Sequence, residues 1–199
     1  MKKVLALVLT LVLVSSAFAI APVNHNATLI PAKTSLLSGG VAETLTGLSL
    51  EYTLGMSKTN LHAKIVMLNR NYTFEGLLHH YLFNWNDIAM GFTYGGEAEF
   101  STRRFQISPV GMWNMSYELA DNVSFYGGLK YQIDFGTSWG TAFVDHDMNL
   151  YLGTQIDVAK KLEVYLEVQP ALWNSATWGF IGVNYYLGNK SLKDGLNVE

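Results

Sequence analysis

From Val123 to Phe135 the apolar residues fall on every second position. Val123, Phe125, Leu129, Tyr131, Ile133 and Phe135 alternate with Ser124, Tyr126, Gly128, Lys130, Gln132 and Asp134, and Gly127 is the only gap on the apolar side. A period of two belongs to an extended strand with one apolar and one polar face, not to a helix. The pattern recurs along the chain. Leu48, Leu50, Tyr52 and Leu54 oppose Gly47, Ser49, Glu51 and Thr53; Ile88, Met90, Phe92 and Tyr94 oppose Ala89, Gly91, Thr93 and Gly95. Trp113, Met115, Tyr117 and Leu119 do the same against Asn114, Ser116 and Glu118. Further repeats start at Met148, Leu162 and Ile181, and a weaker one covers residues 61–68, where Val66 and Leu68 interrupt the polar face.

Such a chain folds as an all-β structure, and its leader says where it is sent. Residues 1–19 combine Lys2 and Lys3, an apolar run from Val4 to Val14 and the small-x-small site Ala17-Phe18-Ala19, the three parts of a secretory signal peptide. The run is too short for a spanning helix, which needs about 20 apolar residues. The absence of cysteine excludes a disulfide scaffold, a thiolate metal site and a cysteine nucleophile. The whole chain carries a net charge of −3, and removal of Lys2 and Lys3 makes it more acidic still, so no basic surface exists for nucleic acid.

Alternation alone leaves open which face meets which solvent. A soluble barrel turns its polar face to water and fills it with Lys, Glu and Arg. Here that face is mostly Gly, Ser, Thr, Asn, Gln and Tyr with scattered acids, and the chain is only 15% charged. The apolar face holds no charge over about ten residues per strand, the length needed to cross a bilayer at a tilt. In lipid every backbone group must be paired, so the sheet must close. The reading is a closed antiparallel up-and-down transmembrane β-barrel.

Eight strands come out at residues 45–54, 60–68, 87–96, 105–119, 123–135, 147–158, 162–171 and 178–187. Ala120-Asp121-Asn122 and Ala159-Lys160-Lys161 read as tight turns on one rim, and residues 95–104 and 136–146 as long loops on the other. Residues 70–85 admit two solutions. Phe74, Leu77, Leu78, Tyr81, Leu82 and Trp85 fit a short amphipathic helix on the rim, which keeps the count at eight. The alternative is a ninth strand, and even parity then demands a tenth from residues 27–37. Eight is the expectation. The domain reading is a signal peptide at 1–19, an N-terminal segment at 20–43 with a possible extra strand, the barrel at 44–188 and a polar periplasmic tail at 189–199.

Gly182-Val183-Asn184-Tyr185-Tyr186-Leu187 has the form Gly-x-x-aromatic-x-hydrophobic. It resembles the closing-strand signal of outer-membrane barrels, and residues 44–188 resemble the small OmpA/OmpX-type barrels. The resemblance implies a bacterial outer-membrane location, contact with outer-membrane lipids and recognition by the barrel-assembly machinery through Gly182, Tyr185 and Leu187. The chain departs from the signal at Phe180, where a polar residue is usual, and in carrying twelve residues after Leu187.

Few residues suggest chemistry. His79-His80 is a poor ligand pair, since neighbours in a strand point to opposite faces. Asp145-His146-Asp147 with Ser138 has the residue types of a lipid hydrolase but no supporting motif. No catalytic residue, metal or cofactor is assigned. The polar positions Glu51, Glu118, Lys130, Asp134, Asp157, Glu163 and Glu167 are expected to face the lumen, with Lys64 as a further cation. Trp139 and Phe143 are the candidate contacts in the longer outer loop, and Tyr94, Tyr117, Phe135 and Tyr185 are candidates for the interfacial girdle. The favoured role is non-enzymatic, structural or surface-interacting, with the surface partner unknown. The alternatives are a narrow cation-preferring porin, a soluble periplasmic lipocalin-like binding barrel and an outer-membrane lipid-modifying hydrolase.

Overall fold

The computed structural model describes residues 34–42, 47–56, 58–68, 71–173 and 177–187. The signal peptide, the start of the N-terminal segment and the tail lie outside the described residues. Eleven strand segments follow one another: β1 (Ser35–Ala42), β2 (Gly47–Gly55), β3 (Thr59–Leu68), β4 (Asn71–Trp85), β5 (Ile88–Phe100), β6 (Arg104–Ala120), β7 (Val123–Ser138), β8 (Thr141–Ala159), β9 (Leu162–Gln169), β10 (Ala171–Trp173) and β11 (Trp178–Tyr186).

From β1 to β9 each segment pairs antiparallel with the next, β11 pairs with both β9 and β1, and the ring is closed. The short β10 continues the line of β9 past Pro170 and pairs with β8. The barrel therefore has ten staves, not eight. Residues 71–85 form a stave and not a rim helix, with Glu75 opposite Glu97 and Leu78 opposite Tyr94. The tenth stave is β1, which overlaps only the end of the 27–37 stretch expected to supply it. The long outer loops are also corrected. Residues 95–100 and 104–107 belong to paired strands, and β7 meets β8 in a two-residue turn, Trp139-Gly140. Both residues of that turn have positive φ (53° and 81°), as do Asn86 and Asp87 (47° and 67°) between β4 and β5. Positive φ at both central positions matches the twist of a two-residue hairpin.

The apolar face looks outward. Leu50, Ile65, Phe74, Ile107, Leu129, Leu152 and Val183 are exposed on the outer wall, whereas Glu51, Lys64, Glu75, Asn114, Asp134 and Glu167 are buried inside. This is the reverse of a soluble calyx and removes the lipocalin-like alternative. Gly–Tyr joints stitch neighbouring staves inside the barrel. Tyr126 lies over Gly153 and Tyr151 over Gly128 across the β7–β8 pairing, and Tyr165 lies over Gly182 across β9–β11. A Cβ on Gly128 would sit 1.8 Å from the Trp113 carbonyl oxygen, the atom to which Tyr151 OH donates at 2.8 Å. Here glycine admits the ring across the strand, and the ring replaces the packing that glycine lacks. A small apolar cluster of Leu77, Val110 and Met112 fills part of the interior.

Candidate functional site

The polar interior is the candidate site, and cross-strand register organises it. Direct partners run from Asp157 on β8 to Glu163, Asn184, Ser38, Glu51, Lys64, Glu75, Glu97 and Ser108. Ser108 donates to Asp134 at 2.6 Å, and Asp134 lies opposite Asp145, again on β8. One row thus leaves β8 near one rim and returns to it near the other, a spiral made by the stagger that closes a tilted barrel. Within it Glu75 opposes Glu97, Asp134 opposes Asp145 and Asp157 opposes Glu163. Like charges directly opposed are destabilising, so the surroundings matter.

Most acids have partners. Glu75 lies 3.8 Å from Lys64, and Glu97 lies 3.7 Å from Lys130. Glu51 accepts hydrogen bonds from Thr53 Oγ1 (3.0 Å) and His62 Nδ1 (2.8 Å). Glu163 accepts from Gln155, from Asn184 Nδ2 at 3.1 Å and from Tyr186 OH at 2.8 Å. Glu167 accepts from Gln169 Nε2 at 2.6 Å, and Asp134 also accepts from Gln132 Nε2 at 3.0 Å. A buried carboxylate without such donors would be costly. Glu118 differs from the expectation: it is exposed at the end of β6, opposite Ser124.

Asp147 lies on β8 opposite Gln132, half-buried, with Asp134 and Asp145 as neighbours. Tyr131, His146 and Trp173 form a ring group on the outer wall beside it. Asp145 and Asp147 share the lumen side with Asp134, while His146 faces outward and stacks on Trp173 with ring centroids 6.1 Å apart. The strand therefore separates the residues of the hydrolase-like set. His79 and His80 are split likewise: His79 is buried inside at 2.8 Å from Thr93, and His80 stacks on Tyr94 outside.

The rim opposite the chain's two described ends carries Trp139 at the tip of the β7–β8 hairpin, 71% exposed. The Arg103 guanidinium lies 3.8 Å over its ring, and Arg104 lies 4.9 Å over Phe143. The Trp139 N–H donates to the Arg103 carbonyl at 2.9 Å, joining two hairpins into one rim. Tyr117, Phe135 and Tyr185 are exposed on the outer wall toward strand ends, whereas Tyr94 sits mid-stave against His80. Gly182 lies inside beneath Tyr165, with Tyr185 and Leu187 outside. The sequence reading missed Glu75, Glu97, Glu99, His62 and the lumen side of Asp145 and Asp147. The period-two signal that finds the acids of β5 was present, since Glu97 and Glu99 alternate with Ala98 and Phe100.

No protein-family model and no curated protein matches the chain. Solved structures do. An outer-membrane channel from Pseudomonas putida F1 is similar at 8% identity over 84% of this chain and 99% of that one, with a TM-score of 0.53. The KdgM porin matches over 76% and 98% at 10% identity, and a loop-deletion form of the outer-membrane protein OmpT of Vibrio cholerae over 70% and 53% at 16% identity, both with TM-scores of 0.40. This chain spans about half the length of the OmpT form. At such identities the likeness concerns the fold, and the fold is that of the outer-membrane β-barrels. These findings support the outer-membrane β-barrel class and do not single out the OmpA/OmpX type, and the ring has ten staves where eight were expected.

Proposed function

We propose that this chain is a bacterial outer-membrane barrel whose lumen is sealed by its own side chains, with a structural or surface-interacting role. The supporting observation is the filled interior. Met112, Tyr151, Glu167 and Asn184 on β6, β8, β9 and β11 are each 0% exposed, and Ser38, Thr53 and His79 on β1, β2 and β4 are 1% exposed. A water-lined pore of useful width would leave such side chains wetted. The uncharged outer wall favours lipid as its surroundings. The closing-strand residues Gly182, Tyr185 and Leu187 are the proposed address for the assembly machinery, and the rim of Arg103, Trp139 and Phe143 then faces the outside.

Membrane fractionation followed by heat-modifiable migration on gels tests the location and the closed barrel. Planar-bilayer recording tests the seal: the expected result is no discrete conductance steps. The second reading, a narrow cation-preferring channel, is favoured by the acid-rich spiral, in which Lys64 is the single cation among seven acids. Discrete cation-selective steps that shrink in Glu97→Gln would install that reading instead.

A further inference from the structure

The two arginines between β5 and β6 point to different surroundings. Arg104 turns into the lumen, where its Nε donates to the buried Gln106 Oε1 at 3.0 Å. Neighbours along an extended backbone face opposite sides, so Arg103 belongs to the outer face with Phe105. The backbone bonds follow the same alternation. The Arg103 carbonyl accepts from Trp139 on the β7 side, and the Arg104 carbonyl accepts from Ser101 on the β5 side. Ser101 Oγ also accepts the Arg104 N–H at 3.0 Å, which fixes the turn.

Arg103 is the first charge met on that face. Below it every second residue of β6, from Phe105 to Leu119, is uncharged. Phe100 and Phe105 lie next below, both exposed, with ring centroids 5.2 Å apart. β6 has 17 residues. At about 3.4 Å per residue and a stave tilt of about 40° it rises about 44 Å, the thickness of a bilayer with both headgroup layers, about 40–45 Å. With the apolar wall in lipid, Arg103 stands at the level of one headgroup layer. Its guanidinium lies 3.8 Å over the Trp139 ring and pairs with no carboxylate among the described residues. Trp139 holds φ 53° in a two-residue turn where Asn or Gly is the usual choice. A bulky residue kept in that conformation points to a role for the ring.

Resting on the outer-membrane reading above, we infer that Arg103 and Trp139 form a site on the outer wall for the phosphate of an acylated outer-leaflet lipid, whose chains lie along Phe100 and Phe105. The planar guanidinium donates two parallel N–H bonds to phosphate oxygens, a geometry that lysine lacks. The indole takes the boundary between apolar wall and headgroups, where amphipathic rings concentrate. The chain has a net charge of −3, so local geometry and not bulk charge draws the anion here. A soluble anion has no use for the exposed aromatic strip below the arginine, and this favours a lipid as the source.

The full barrel, folded in detergent and checked by heat-modifiable migration, is titrated with diphosphoryl lipid A and with the same lipid stripped of its phosphates. Native mass spectrometry counts the lipid bound. The diphosphoryl form is expected to bind about tenfold more tightly. Arg103→Gln removes that preference, Arg103→Lys keeps part of it, and Trp139→Asn weakens it while the barrel stays folded. Arg104→Gln leaves it unchanged, as does Lys160→Gln with Lys161→Gln, because these cations lie inside and on the opposite rim. Equal affinity for the two lipids overturns the inference, as does binding of neither. Equal losses in Arg103→Gln and Arg104→Gln also overturn it, by showing attraction to a basic rim without a site. Displacement of the lipid by excess inorganic phosphate assigns the site to a soluble anion, and a stable dimer that excludes the lipid assigns it to a second copy; either result overturns the inference. Failure of the barrel to fractionate with the outer membrane removes the location alone, since the lipid preference is measured in detergent.

Discussion

The barrel has a short wall and a tall one. β1, β2, β3, β9 and β11 contain 8, 9, 10, 8 and 9 residues, whereas β4 to β8 contain 15, 13, 17, 16 and 19. A tilted strand crosses a bilayer in about 9–11 residues, so the short wall stops with the hydrocarbon and the tall wall continues past it. The difference teaches that apolar height does not end a strand; turn chemistry does. Phe100, Phe105, Phe135 and Val144 remain exposed and apolar on the upper part of the tall wall, and its β7–β8 strands stop only at Trp139-Gly140. Polar chemistry divides along the same line. The Asp134–Asp145–Asp147 group and the arginine–aromatic contacts belong to the tall wall, while the Tyr186–Glu163–Asn184 group belongs to the short one.

The largest expected effect comes from breaking a joint in each wall. Gly128→Ala on the tall wall drives a methyl into the Trp113 carbonyl, a backbone atom that cannot yield, and should destabilise the barrel by about 3 kcal/mol or prevent folding. Gly182→Ala on the short wall meets only the tip of the Tyr165 ring at 2.3 Å, which can swing aside, so about 1–2 kcal/mol is expected. Denaturant midpoints of the two variants give the comparison, and equal losses would erase it. Tyr151→Phe keeps the ring over Gly128 and removes the bond to Trp113, for about 1 kcal/mol by the same measurement.

The smallest change is expected at the tip. Trp139→Asn replaces an exposed residue at φ 53° with one that tolerates that conformation. Its stability should stay within about 0.5 kcal/mol of the parent, while the Arg103 contact and the tryptophan emission of the rim disappear.

The sequence made the inside and outside of the wall legible, because lipid on one face and packed polar groups on the other enforce a period of two. What it obscured has physical causes. In β4, Leu77 points inward to Val110 and Met112 while Gly76 takes an outward position, so each face carries a residue of the wrong kind and helical spacing fits as well. β1 hides for a related reason: Leu36 is buried against Tyr186, and Gly39-Gly40 dilutes both faces. The tall hairpins read as loops because their residues are polar or aromatic without a clean apolar face, although Glu97, Asp145 and Asp147 keep the alternation. The candidate site was half visible. Parity places a carboxylate inside, but only pairing across strands aligns Asp157, Glu163, Glu51 and Glu75 into one spiral.

That spiral crosses from β11 to β1 through Asn184 and Ser38, and neither of these staves contains a charged residue, whereas β2 to β9 each contain at least one. When the curling sheet zips shut, its first and last ribs meet without any ion having to find its counterpart across the gap. The electrostatic pairing can be completed in the open sheet, and the final latch asks only for shape and backbone donors.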